Sequence, residues 1–332
     1  MIASLTRRRF IGVTAAASGL GLLPLGRAAR AEGHLVSWNG TAMGAVAHLQ
    51  IHHHDRAAAE ALIGRAVAEV RRLETVFSLH REDSALARLN RRGVLVAPPP
   101  DLVALLEEAR RIHDLTGGAF DPTVQPLWTL YRDHFSKRGA SPDGPSSDDL
   151  RAALDLIGFG HVSFDRNRIA VAKRGMALTM NGIAQGYATD RVVALLRSAG
   201  IDRSLVDMGE PAALGFSPTG RPWRIGIADP NEPSVIAKTV ELSDKAMATS
   251  GGYGYRFDPD GRFNHLLDPK TGRSPNLHRS VTTLHRRAAA ADALSTAFSL
   301  MPLEEIASIV AALGETEVHL ITAEGERRIL KS

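Results

Sequence analysis

The stretch from His34 to His52 reads as strand: Ala45, Ala47, Leu49 and Ile51 fall on one parity, Val46, His48 and Gln50 on the other. A period of two is that of a half-buried strand, so the stretch is expected to be extended. His52-His53-His54-Asp55 closes it. Successive strand side chains point to opposite faces, so these histidines do not converge on a metal and are expected to form a solvated strand end. From Arg56 the period changes. Ala61-Leu62, Ala66, Val70, Leu73 and Val76-Phe77 recur three or four apart, which predicts a helix over Arg56–Phe77. After Pro98-Pro99-Pro100 a second helix is expected over Asp101–Leu115. Further helices are predicted at Asp148–Leu156, Tyr187–Ser198 and Ala291–Ala312, with Lys137–Ser147 a loop. Short strands are expected around Ile169–Val171, Ser204–Asp207, Trp223–Ile227, Lys238–Leu242, Phe263–Leu267 and His319–Thr322. The pattern is that of a mixed α/β (α+β) chain without convincing repeats. Three glycine-bearing stretches interrupt it, at 116–123, 179–190 and 248–272.

The formal charge of +4 suggests a basic protein, but its distribution removes that reading. Residues 1–31 hold Arg7, Arg8, Arg9, Arg27 and Arg30 and no acid, which leaves 35 basic against 36 acidic residues in the rest. A chain so balanced lacks the basic surface that nucleic-acid binding needs. There is no cysteine, so thiol nucleophiles, disulfides and cysteine-ligated metals are excluded. Thr6-Arg7-Arg8-Arg9-Phe10-Ile11 precedes an apolar run to about Leu25, interrupted by Gly12, Gly19, Gly21 and Pro24. That run is short of the roughly 20 apolar residues a membrane span needs. Paired arginines before a weakly hydrophobic run, then Ala29-Arg30-Ala31, are similar to a twin-arginine export signal. Residues 1–31 are therefore expected to be removed, and residues 32–332 to form one periplasmic domain without a transmembrane span.

Candidate chemistry sits in three places. Asp292 and Thr296 are i and i+4 on a predicted helix, with Ser295 beside them. These hard oxygen donors suit magnesium, while an acid near a helix start equally suits capping. Spacing alone leaves both open. His265, near a predicted strand end, has the chemistry of a general base, with Asp268 available to orient it or to bind metal; a packed histidine has the same sequence signature. Thr179 through Tyr187 opens a helix with glycines able to receive a pyrophosphate on backbone N–H groups, but it matches neither G-x-G-x-x-G nor a P-loop.

Taken in order, several stretches resemble the ApbE family of FAD:protein FMN transferases. They are Thr41–Gly44; Phe77–His80 with Asp83-Ser84 and Leu89-Asn90; Gly117–Thr123; Asn181–Tyr187 with Asp190; and Leu205–Gly209. Pro222–Gly226, Ala248–Gly251, His265–Gly272 and Ala291–Ala293 with Thr296 follow. The resemblance runs over nearly the whole chain after residue 31. It implies an enzyme that binds FAD and Mg2+, transfers FMN to a threonine of a target flavoprotein, and releases AMP. By motif position, Met43, His80, Ala119, Phe120, Asp121, Thr179, Gln185 and Leu267 would lie along the flavin nucleotide. Asp292, Ser295 and Thr296 with the Gly182 carbonyl would hold the metal, and His265 would take the threonine proton.

Four positions depart from the family pattern. Thr179 stands where an aspartate is common, Gln185 where a lysine is, Glu210 where a second glycine often follows Gly209, and Gly252 where an aspartate often follows Ser-Gly. The first two remove a nucleotide contact and a positive charge near the phosphates, so they bear on FAD affinity more than on fold. The Asn181–Tyr187 pattern with a twin-arginine signal resembles the branch that matures the flavoprotein serving nitrous-oxide reductase. Alternatives are a metal-dependent FAD pyrophosphatase, with water as acceptor, and a flavin carrier without catalysis. An exported solute-binding protein finds no support in the sequence. The acceptor stretch carried by targets of the family, Asp-Gly-x-Ser/Thr-Gly-Ala/Ser-Thr, does not occur in this chain.

Overall fold

The computed structural model describes residues 33–232 and 234–332; the expected export signal lies outside them. The predicted first strand is a hairpin, β1 His34–Ala42 and β2 Ala45–His53. Its turn is Met43-Gly44, with φ of 51° and 82°. Two positive φ values match the twist that a two-residue hairpin needs. The buried parity changes across the turn, from Val36 and Ala42 in β1 to Ala45, Ala47, Leu49 and Ile51 in β2, which one continuous strand would not show. At the far end Asp55 accepts from the Ala58 N–H at 3.1 Å and caps α1, Arg56–Phe77.

Short helices and strands follow: α2 Ala85–Arg92, β3 Val94–Val96, α3 Pro100–Leu115, α4 Gln125–Phe135, α5 Ser147–Leu154, β4 Val162–Phe164 and β5 Arg168–Val171. Next come α6 Ala184–Ser198, β6 Ser204–Asp207, β7 Pro211–Leu214, β8 Trp223–Ala228, β9 Ile236–Leu242, β10 Ala246–Ser250 and β11 His278–His285. The chain ends with α7 Ala288–Phe298, α8 Leu303–Leu313, β12 Glu317–Thr322 and β13 Arg327–Lys331. Eight strands form one sheet in the order β1-β2-β6-β7-β10-β11-β12-β13, and every pairing is antiparallel. The register puts the Met43-Gly44 turn, the Asp207–Pro211 turn and Ser250 at the same end of this sheet.

Two expectations are corrected. The helix predicted over Ala291–Ala312 is two, α7 and α8, because Pro302 cannot continue the first and instead precedes α8. Phe263–Leu267 is not a strand; only Asn264 bridges, to Arg256. Helices α2 and α4 are additions to the elements expected from the sequence. Helix α7 has Thr296 as its sole residue not fully buried. Its small side chains let α6 come close: a Cβ on Gly186 would lie 2.3 Å from the Ala288 carbonyl oxygen, so glycine is required there. Asp190, from α6, then caps α7 across the contact, accepting from the Ala288 and Ala289 N–H groups at 2.7 and 3.0 Å.

Candidate active site

Asp292 is not at a helix start, because α7 begins four residues earlier, and the capping role belongs to Asp190. Its carboxylate accepts from the Gly186 N–H of α6 at 3.1 Å instead. One turn on, Thr296 faces the loop before α6, where a Cβ on Gly182 would lie 3.0 Å from Thr296 Oγ1. The Ser295 hydroxyl lies 2.8 Å from that of Ser250, which is 3.4 Å from Thr296 Oγ1. Thus α6, α7 and the end of β10 bring Gly182, Asp292, Ser295, Thr296 and Ser250 together.

Two further carboxylates lie near them in the turn from β6 to β7, the buried Glu210 and the half-buried Asp207. Burial pushes Asp292 up to about 7, helped by the charge of Asp190 and opposed by the Gly186 N–H. Burial likewise pushes Asp207 up to about 6 against the Gly209 N–H. Glu210 is raised well above the usual carboxylate range by burial, then by Asp292 and Asp207. None of the three forms an ion pair with a lysine, arginine or histidine among the described residues. Buried carboxylates of this kind favour either a proton or a cation. Among the described residues no three histidines, aspartates or glutamates converge as ligands for one ion, so a metal here needs hydroxyl and carbonyl oxygens as well. Gly182, Thr296 and Ser295 supply those donors, and the set fits a hard divalent cation.

His265 donates its backbone N–H to the Tyr255 carbonyl at 3.1 Å, and its Nδ1 lies 3.2 Å from the same oxygen. A carbonyl only accepts, so Nδ1 carries the proton and Nε2 keeps a free lone pair. Burial lowers the imidazole below its ordinary value, against the Tyr255 bond, which favours the neutral, basic form. Asp268 does not orient the ring: its oxygens accept from the Lys270 N–H at 2.9 Å and the Thr271 hydroxyl at 2.8 Å and close their own turn. The orienting acceptor is the Tyr255 carbonyl, which the sequence does not mark. His265 connects to the sheet end through Asn264, since a Cβ on Gly252 would lie 2.8 Å from the Asn264 amide nitrogen.

The residues expected along the nucleotide are partly gathered. Met43 sits in the hairpin turn, its N–H donating to Glu74 at 2.9 Å. Phe120 is buried against Gly182, 3.4 Å from where a Cβ would be. Ala119 packs on the main core beside it. Asp121 spends both oxygens on the fold, one on the N–H and hydroxyl of Thr123 and one on the Phe159 N–H. Thr179 donates its N–H to the Pro122 carbonyl at 2.7 Å, which ties the 117–123 loop to the loop before α6. The Gln185 side chain lies 2.9 Å from where a Cβ on Gly209 would be. His80 is exposed, and Leu267 is buried in a separate cluster with Leu127, Tyr131 and Ala153. Asn90, given no role by spacing, holds Leu178 by both its N–H and its carbonyl at 2.8 Å. Two surface hollows, one lined by Leu35, Trp38 and Arg56 and one by Glu69, Arg191 and Leu195, share no residue with this site.

The model of the ApbE family matches residues 43–320. The FAD:protein FMN transferase of Vibrio cholerae is 33% identical over 250 residues, covering 74% of each chain. That of Treponema pallidum is 33% identical over 261 residues, covering 71% of this chain and 70% of the relative. In structure the chain is similar to the apo form of the Pseudomonas stutzeri flavinyl transferase ApbE, with a TM-score of 0.76, 28% identity and coverage of 92% of this chain and 98% of that one. The chain belongs to the ApbE family.

Proposed function

We propose that this ApbE-family transferase moves FMN from FAD to a threonine of a target protein in the periplasm, with Mg2+ required and AMP released. The observation that carries the reading is a buried carboxylate without a basic partner, Asp292, one helical turn before Thr296, whose hydroxyl lies against Gly182. A threonine hydroxyl is a poor nucleophile, and His265 Nε2 is available to take its proton. The hydroxyl oxygen bonds to the phosphorus on the FMN side, the bond from that phosphorus to the AMP oxygen breaks, and AMP leaves. Asp292, Thr296 and the Gly182 carbonyl would hold a divalent cation, which would neutralise the diphosphate charge. Thr179 keeps its backbone in the nucleotide loop, and Gln185 offers an amide where the family has an ammonium. The twin-arginine stretch supports the periplasmic assignment, and Arg7→Lys with Arg8→Lys is expected to retain the protein in the cytoplasm.

The test mixes the protein, FAD, Mg2+ and a domain bearing the acceptor stretch, and reads flavin fluorescence in a denaturing gel. Covalent flavin on the acceptor is expected. FMN free in solution would establish the hydrolase, and FAD retained without AMP release would establish the carrier.

A further inference from the structure

We infer that Glu210 supplies the cation site with a second carboxylate beside Asp292. The inference rests on the proposed metal reading and concerns a residue that the family pattern replaces with glycine. Glu210 is 5% exposed, as is Asp292, and neither meets an arginine as the buried Asp101 and Glu108 do. Its place is fixed from two sides. The Glu210 carbonyl accepts from the Thr189 hydroxyl of α6 at 2.8 Å, and its carboxylate accepts from the Thr249 N–H of β10. Thr249 is followed by Ser250, whose hydroxyl meets Ser295 and Thr296. The carboxylate is thus anchored one residue from the hydroxyls of the site, and Asp292 is a charge it feels.

A long acid does not stay buried with one backbone N–H and like charges around it unless something else balances it. The neighbouring position adds no counter-charge: the uncharged Gln185 side chain lies against Gly209, immediately before Glu210. A divalent cation would balance Glu210 and Asp292 together, with the Glu210 carboxylate as a further hard oxygen donor.

The experiment titrates Mg2+ and Mn2+ alone into the full mature chain by calorimetry, with Glu210→Gln, Glu210→Asp and Asp292→Ala in parallel. Glu210→Gln is expected to weaken the cation by about tenfold or more. Without metal its melting temperature is expected to be no lower than wild type, because a repelling charge has gone. Glu210→Asp keeps the charge but shortens the reach, and it decides the matter if the glutamine variant does not fold; its affinity is also expected to fall. Wild-type affinity in whichever variant folds, with Asp292→Ala unable to bind, would overturn the role of Glu210 and leave the metal site standing. No uptake of Mg2+ or Mn2+ by the wild type would bring down the metal reading itself.

Discussion

Two clusters of carboxylates in the molecule are treated in opposite ways. Between α1, α3 and α6, Arg72 meets Glu69 at 2.8 Å and Asp101 at 2.7 Å, Arg191 meets Glu69 at 3.1 Å, and the Tyr187 hydroxyl donates to Asp101 at 2.9 Å. Burial pushes Asp101 up, but Arg72 and Tyr187 outweigh it and hold the carboxyl below its usual range. Glu69 is held down by its bond to Arg72 against the effect of burial. This network is electrically closed. At the end of the sheet Asp207, Glu210 and Asp292 have backbone N–H groups but no basic partner, and all three are raised. Where the charges are matched within the chain the carboxylates serve the fold. Where they are left open, the balancing charge has to come from outside.

The sharpest way to break the contrast is to remove the central acid of the open cluster. Asp292→Ala is expected to abolish FMN transfer at ordinary Mg2+ while the protein stays folded, because the carboxylate makes a single backbone bond, from the Gly186 N–H, and has a like charge as its neighbour. Circular dichroism alongside the gel assay reads both. A collapsed melting curve would move Asp292 to the structural side of the comparison. His265→Ala comes next, with transfer reduced by about 10²–10⁴-fold while FAD and Mg2+ are still bound. Wild-type activity is expected to rise with pH and to level off below the ordinary histidine pKa of about 6.5, since burial lowers the imidazole. A pH profile unchanged by the substitution would remove His265 as the base.

How much of this was legible in the sequence follows the same division. The α1 face is written in its period, and both its boundaries agree with the structure. The Met43-Gly44 turn is written only as a change of apolar parity between Val36 and Ala42 on one side and Ala45, Ala47, Leu49 and Ile51 on the other, and the small apolar residues from Ala42 to Ala47 blur it. The break at Pro302 was hidden by apolar residues on both sides. Family resemblance named Asp292, Thr296 and Gly182, but spacing alone could not separate ligand from cap. That separation depended on where Asp190 reaches from a different helix. Glu210 stood out in the sequence only as a departure from the family's Gly-Gly, and its burial against β10 is a tertiary fact. Tyr255 acts through a carbonyl, which every residue has, so no side-chain pattern announces it.

The open cluster also has a pH signature. Asp292 has a folded pKa raised from 3.8 to about 7, so the native state binds more protons than the unfolded chain between those values. Stability of the metal-free protein therefore falls as pH rises through that window, by on the order of a few kcal/mol if the three acids act together. Mg2+ is expected to restore it, so the metal-induced rise in melting temperature should be larger at pH 8 than at pH 5. Equal shifts at both values would mean that these carboxylates do not face the ion.

The closed network gives the smallest effect and the control for the others. Asp101 and Glu69 have folded pKa values below their unfolded ones, so their contribution is complete above the unfolded values. It is lost only as pH falls through the lowered folded values, and from pH 5 to 8 it is flat. Asp101→Asn keeps the shape and a possible bond to Tyr187 but removes the charge facing Arg72. Arg72 is substantially exposed, with 44% of its side chain accessible, so water screens part of the loss. The expected cost is about 1–2 kcal/mol, visible as a lowered melting temperature with transfer and Mg2+ affinity unchanged. The decisive comparison is of slopes: Asp101→Asn should lower the stability curve between pH 5 and 8 by a constant amount, while Asp292→Asn should flatten it. If Asp101→Asn instead changed the Mg2+ response, charge would be passing between the two clusters through α6, and the division between fold acids and site acids would not hold.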